Sequence, residues 1–293
     1  MKLDVTHRTA YLYEQPVALS QHRVHMLPRA TRYQRVLRSS LIIEPAPTFR
    51  RDATDVFGNA LTVIEIERPH DELVIRASST VEVAPPPPSD RDGSSGPRWD
   101  DIDQAIGAIE PREAVEVRQY RCMSPLTRAP AGLVEYITPS FPTGRPLRDA
   151  AFDLTRRIRT EFRFDATATD ISTPLETVLK TRRGVCQDFA HLMIAGLRAL
   201  RLPARYVSGY ILTLPPPGKA KLQGADASHA WVSVWCGQAL GWVDFDPTNG
   251  RLAGDDYATV GWARDYSDVS PISGILLGGG AHTVDVGVDV KVV

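Results

Sequence analysis

Apolar and polar residues alternate from the start of the chain. Leu3, Val5, His7, Thr9 and Tyr11 share one face of a period-two pattern, and Leu73 to Val83 repeats the habit. Residues 1–85 are therefore expected to form a β-rich, sandwich-like domain of half-buried strands. The turn chemistry of Asp55-Val56-Phe57-Gly58-Asn59 interrupts the alternation, and no comparably strong helical period occurs before Pro85. The following stretch, 86–97, is rich in Pro, Gly, Ser and charged residues. It can bury little and is expected to be a linker.

Residues 98–293 are expected to make a second domain in which helices precede strands. After a mixed segment, Leu147, Ala151, Leu154, Ile158 and Phe162 recur at helical spacing behind Pro146, a residue tolerated at a first helical position. A short helix is predicted at Thr173-Pro174-Leu175-Glu176, with Thr173 and Glu176 as the two halves of a capping box, ending near Thr181. A third helix follows Gly184, carries Val185, Phe189, Leu192, Met193, Leu197 and Leu200, and stops before Pro203. Strands are predicted at 204–213, 229–236 and 240–245, and in a terminal run where Val284, Val286, Val288, Val290 and Val292 share a face. The whole chain is thus α+β.

Composition narrows the function. A length of 293 residues, 43% of them hydrophobic, allows two cores. A formal net charge of −1 provides no global basic field for nucleic acid or an anionic membrane. No apolar run approaches the roughly 20 residues of a membrane span, and the first residues lack the pattern of a signal peptide, so the expected compartment is the cytoplasm. The three cysteines, Cys122, Cys186 and Cys236, are far apart and form no CxxC, which argues against a disulfide framework or a cysteine-rich zinc site.

Three residues carry candidate chemistry. Cys186 lies just after Gly184-Val185 at the start of the third helix, where free backbone amides and the helix dipole favour an anion. The placement suits a thiolate nucleophile and the oxyanion formed by its attack on a carbonyl. His229 begins a strand whose His229, Trp231, Ser233 and Trp235 share a face. Asp246 ends the next strand, across the short connection 237–240, and an antiparallel hairpin brings it near His229. A carboxylate beside an imidazole fixes its tautomer and stabilises the imidazolium, as a Cys-His pair requires. Asp244 shares the face of Asp246 and is the rival. Each residue also has a structural reading: a buried thiol, a hydrogen-bonded strand histidine and a turn aspartate.

The segments Arg183-Gly184-Val185-Cys186-Gln187-Asp188-Phe189-Ala190-His191, Leu202 to Tyr210, Ser228-His229-Ala230-Trp231-Val232 and Gly241 to Asn249 closely resemble the bacterial transglutaminase-like family. His7-Arg8-Thr9, Pro28-Arg29 and 55–59 resemble its β-rich amino-terminal domain. The resemblance implies a papain-like cysteine enzyme core with Cys186, His229 and Asp246 as triad; same-face geometry alone leaves Asp244 open. It implies acyl transfer through a thioester on a protein or peptide substrate. An amine acceptor makes the enzyme a transglutaminase, and water makes it an amidase or peptidase. A non-catalytic peptide-binding module that keeps the fold is the rival from another class.

Other residues are expected to serve structure. His191 and Asp188 lie round the helix from the thiol. A zinc site of Cys186, His191 and His229 lacks HExxH, CxxC or paired-histidine spacing, and no phosphate loop or calcium loop occurs. No cofactor or metal is therefore expected. Trp231, Trp235 and Trp242 are expected in the core or site wall, Cys236 on the strand face opposite His229, and Arg156-Arg157-Ile158-Arg159 on a solvated helix face.

Overall fold

The computed structural model describes residues 1–85, 96–170, 172–213 and 228–293. Residues 86–95 of the expected linker and the loop 214–221 lie outside the described residues.

The alternation of the first residues continues into a single strand, β1 (Lys2–Val24). It is followed by β2 (Gln34–Glu44), β3 (Phe49–Thr54), β4 (Ala60–Ile66) and β5 (His70–Val83). A register shift between Leu12 and Val17 divides β1: its first half pairs with β5, its second with β4. The expected turn at 55–59 joins β3 to β4. Tyr13, Val24, Ile43, Ile64, Leu73 and Ile75 are buried together against this sheet.

The mixed segment holds three short helices, α1 (Ile102–Gly107), α2 (Pro111–Arg118) and α3 (Leu133–Ile137). Each is too short to imprint a period on the sequence. Helix α4 (Leu147–Glu161) leads to β6 (Arg163–Phe164), α5 (Leu175–Thr181), β7 (Arg183–Gly184) and α6 (Cys186–Ala199). Two expected helix starts are corrected. Pro146 and Pro174 are N-caps in extended conformation rather than first helical residues, and α5 has no side-chain cap. Thr173 lies one residue before the cap, and its hydroxyl bonds Asp170 instead, at 3.1 Å.

A second sheet follows, of β8 (Ala204–Ile211), β9 (Ser228–Trp235), β10 (Trp242–Asp246), β11 (Arg251–Leu252) and β12 (Tyr257–Ala263). Its order is β11-β10-β9-β8-β12. Phe189, Leu192, Met193 and Leu197 of α6 are buried against Tyr206, Val232 and Val234 on one face, in a core shared with α4. The chain is α+β, as expected. The final strands, β13 (Ile272–Gly278) and β14 (His282–Val292), do not join this sheet but pair antiparallel with β1. Valine alternation gives β14 a buried face at Val288 and Val290. It does not name the partner, so placing these strands in the second domain is corrected.

The two sheets are joined through polar residues, of which His7, Arg29 and Asn59 lie in segments singled out in the sequence and Gln34 does not. Among the described residues the outward edge of β12 has no strand partner, and a bulge between Thr259 and Gly261 turns the backbone of both Thr259 and Trp262 outward. The Gln34 amide donates to Thr259 O (2.7 Å) and accepts from Thr259 N (2.8 Å). Asn59 donates to Trp262 O (2.9 Å) and accepts from Trp262 N (3.0 Å). Two side chains thus satisfy an edge that would otherwise need a strand. Arg29 lies 3.3 Å over the Trp262 ring, and His7 Nδ1 is hydrogen-bonded to the Tyr210 hydroxyl at 2.8 Å. Among the described residues no helix is long and apolar enough to cross a membrane.

Candidate active site

Cys186 is the first residue of α6, a half-buried free thiol. The carboxylate of Asp188 folds back over the helix start, where its Oδ2 accepts from Val185 N (2.8 Å) and the Thr169 hydroxyl (2.6 Å). Gly184 makes this possible, because a Cβ there would lie 2.7 Å from Asp188 Oδ2. With the Val185 amide occupied, the Cys186 and Gln187 amides of the first turn remain as donors toward a group held at the thiol.

His229 is the second residue of β9 and is buried. Its Nε2 lies 2.7 Å from Asp246 Oδ2, which leaves Nδ1 as the ring nitrogen for the side-chain hydrogen bond to Cys186. Burial by itself pushes the imidazole pKa down. The hydrogen bonds to Asp246 and Cys186 and the charges of both outweigh that penalty and raise it to about 10. An imidazolium is therefore favoured between the two groups.

Asp246 is wholly buried and fully partnered. Its Oδ1 accepts from Thr248 N (2.8 Å) and Asn249 N (3.1 Å), the turn that Asp-Pro-Thr-Asn builds. Its Oδ2 takes the Tyr257 hydroxyl (2.6 Å) and Asn249 Nδ2 (2.6 Å) as well as His229. Burial raises its pKa, but the His229 hydrogen bond and charge, with Tyr257 and Asn249, overcome this and hold it below its ordinary value. Asn249 lies within a segment that the sequence analysis had singled out. Tyr257 was missed, because nothing local marks a residue delivered by a separate strand.

The rival residues are placed elsewhere. Asp244 Oδ2 accepts from Trp231 Nε1 at 3.0 Å, and the Trp231 ring lies alongside His229, centroids 6.1 Å apart. Gly209 leaves room for that indole; a Cβ there would meet it at 2.5 Å. His191 accepts from Tyr266 N at 3.1 Å, and burial lowers its pKa to about 4, so it is a neutral, occupied imidazole. Cys236 is buried, and its burial pushes its thiol well up. Trp231 and Trp235 are core residues, whereas Trp242 is only partly buried. A cavity of about 350 Å³ flanks the helix start, with Leu126, Arg128, Pro174, Glu176 and Gln187 in its wall.

Residues 3–82 match the bacterial transglutaminase-like N-terminal region, and residues 136–247 match the transglutaminase-like superfamily core. An uncharacterized protein of Mycobacterium tuberculosis is 43% identical over 291 residues, 98% of this chain and 91% of that protein. A protein-glutamine gamma-glutamyltransferase of Pseudomonas aeruginosa is 42% identical over 69 residues, 23% of this chain and 10% of that protein. The crystal structure of a candidate cysteine protease from Cytophaga hutchinsonii superposes with a TM-score of 0.75 at 20% identity, covering 99% of this chain and 90% of that one. That likeness is one of fold.

Proposed function

Because the chain belongs to the bacterial transglutaminase-like family, we propose that it catalyses acyl transfer from a carboxamide or peptide bond of a protein or peptide through a thioester on Cys186. The observation that carries this reading is the 2.7 Å contact between His229 Nε2 and Asp246 Oδ2, with Cys186 hydrogen-bonded to the same imidazole at a helix start. The Cys186 sulfur forms a bond to the carbonyl carbon, and the carbonyl electron pair moves onto oxygen beside the first-turn amides. Collapse breaks the carbon–nitrogen bond while the imidazolium of His229 gives its proton to the departing amine or ammonia. In the second half, the acceptor attacks the thioester carbon, loses its proton to His229 and releases the Cys186 thiolate.

An amine acceptor yields a new amide, and water yields an acid. The Pseudomonas transferase segment supports the amine, and we take transglutamination as the leading reading. Incubation with glutamine-containing peptides and a labelled primary amine, read by mass spectrometry beside Cys186→Ala, tests it. Amine incorporation lost in the variant supports it, and deamidation or cleavage without incorporation redirects it to an amidase or peptidase. Turnover retained in Cys186→Ala refutes the nucleophile, and absence of turnover on a panel of peptides favours a binding module.

A further inference from the structure

Strands β9 and β10 carry two pairs of an aspartate with a ring, side by side. Their antiparallel register runs from Trp242 opposite Trp235, through Asp244 opposite Ser233, to Phe245 opposite Val232. On the His229 face, each aspartate reaches past its own register position to the next ring along β9. Asp246 takes the His229 imidazole at 2.7 Å, and Asp244 takes Trp231 Nε1 at 3.0 Å. Side chains two residues apart on a strand share a face, so the imidazole and the indole are neighbours, with centroids 6.1 Å apart and planes inclined by 29°.

The indole is fixed at both ends. Asp244 accepts its N–H, and its six-membered ring lies over Gly209, where a Cβ would stand 2.5 Å from Trp231 Cη2 and 2.2 Å from Ala258 O. Gly209 is the residue opposite His229 on β8. The far end of the indole is therefore delivered beside the imidazole. The Tyr257 ring meets the indole nearly at a right angle, 78° with centroids 5.3 Å apart, and lies 6.1 Å from the imidazole. Trp231 and Tyr257 are both buried. The imidazole thus occupies a corner between two aromatic rings, with its nitrogens turned to Asp246 of β10 and Cys186 of α6.

From this geometry we infer that Asp244 is a positioning residue of the proposed site: it holds the Trp231 indole against the His229 imidazole and so keeps that ring aligned between Asp246 and Cys186. The inference rests on the reading of His229 as the base of Cys186. A turn of the imidazole about its Cβ–Cγ bond breaks both of its hydrogen bonds at once. Close packing against fixed neighbours removes that freedom, and a dry aromatic wall strengthens the hydrogen bonds behind it. A buried indole N–H left without an acceptor is costly, so removal of Asp244 favours an indole turned toward other partners and opens the corner. Asp244 acts through the oxygen it offers to Trp231. Its charge also attracts the buried Arg205 guanidinium, a separate effect that the test must tell apart.

Asp244→Asn keeps an oxygen for the indole and loses the charge, whereas Asp244→Ala loses both. In a Cys122→Ser protein the readouts are the rate of Cys186 alkylation by iodoacetamide at neutral pH, the NMR titration midpoint of His229, and kcat and KM with glutamine peptides and a labelled amine. Asp244→Ala is expected to slow alkylation and lower kcat by about tenfold with KM little changed, and to move the His229 midpoint down by about one pH unit. Asp244→Asn should restore all three. In Trp231→Phe, which has no N–H to hold, Asp244→Ala should add little. An Asn variant as impaired as the Ala variant would show that the charge acts, and would overturn the inference. So would an Asp244→Ala protein that melts earlier yet keeps wild-type labelling, titration and kcat. Should Trp231→Phe not fold, the comparison of Asn with Ala decides alone. If the wild type turns over no peptide, the acyl-transfer reading fails, while labelling and titration still decide the role of Asp244.

Discussion

Tyr257 donates its hydroxyl hydrogen to the same oxygen of Asp246 that holds the His229 imidazole, at 2.6 Å against 2.7 Å. The carboxylate is thus gripped from a strand that carries none of the three proposed catalytic residues. A hydrogen bond to a charged group contributes about 1.5–3 kcal/mol. Tyr257→Phe is therefore expected to lower kcat by about tenfold or more, with KM little changed and the alkaline limb of the pH profile displaced. Steady-state kinetics across pH measures this; a change confined to KM would mean that Tyr257 does not act through Asp246.

Cys186→Ala is expected to abolish turnover while leaving the melting temperature within a few degrees of wild type, as the thiol is only half-buried and its removal opens little space. Cys122 is exposed and Cys236 buried. Iodoacetamide on a Cys122→Ser protein should therefore label a single site, Cys186, identified by peptide mass spectrometry. His229→Ala should slow that labelling at neutral pH. Labelling unaffected by the histidine would remove the base from the scheme.

The pH dependence of stability has a definite sign. The folded pKa of His229 is raised from 6.5 to about 10, so its contribution is complete below pH 6.5 and is lost as pH climbs through 10. Asp246 is shifted the other way: its contribution is present above its unfolded value of 3.8 and vanishes as pH falls through the lower folded one. The stability gap between wild type and His229→Gln should be widest between pH 3.8 and 6.5. It should narrow steadily toward pH 10, as urea titrations at several pH values can check. A gap that widens with alkali would contradict the ion pair.

Gln34→Ala and Asn59→Ala each strip a donor and an acceptor from the outer edge of β12. Each should cost about 1–3 kcal/mol for the backbone groups left unsatisfied, measurable as a lower denaturation midpoint. Reduced activity at temperatures where the variants remain folded would show that the first sheet holds β12, and through it Tyr257, in place. Loss of stability without loss of activity would confine these amides to a structural role.

Local sequence order made Cys186, His229 and Asp246 candidates, because a helix start and a two-strand hairpin are short-range features that period and turn chemistry define. It could not choose between Asp246 and Asp244, which share a face. The choice between them in space is made by Trp231, whose indole takes Asp244. The motif at 55–59 was visible as a turn, yet the task of Asn59 depends on β12, far along the chain. Strand β14 was legible as a strand but not as the neighbour of β1, since alternation specifies which face is buried and says nothing about which edge is shared. Arg205, buried between Trp242 and Trp262, gave no signal at all: a single arginine in a strand looks solvated until its neighbours are assembled.

The antiparallel pairing of Leu3 with Val292 also bears on how the molecule is made. Strand β1 waits for β14, with the helices and the whole second sheet between them in sequence. During translation, one edge of β1 stays open while the second sheet and its helices can already condense, because their contacts are local. The amino-terminal sheet is therefore completed only once β14 has emerged from the ribosome, and until then the open edge of β1 is a place for a chaperone to cover. Deleting β14 would reopen that edge of β1 in the folded protein and favour strand-to-strand association there.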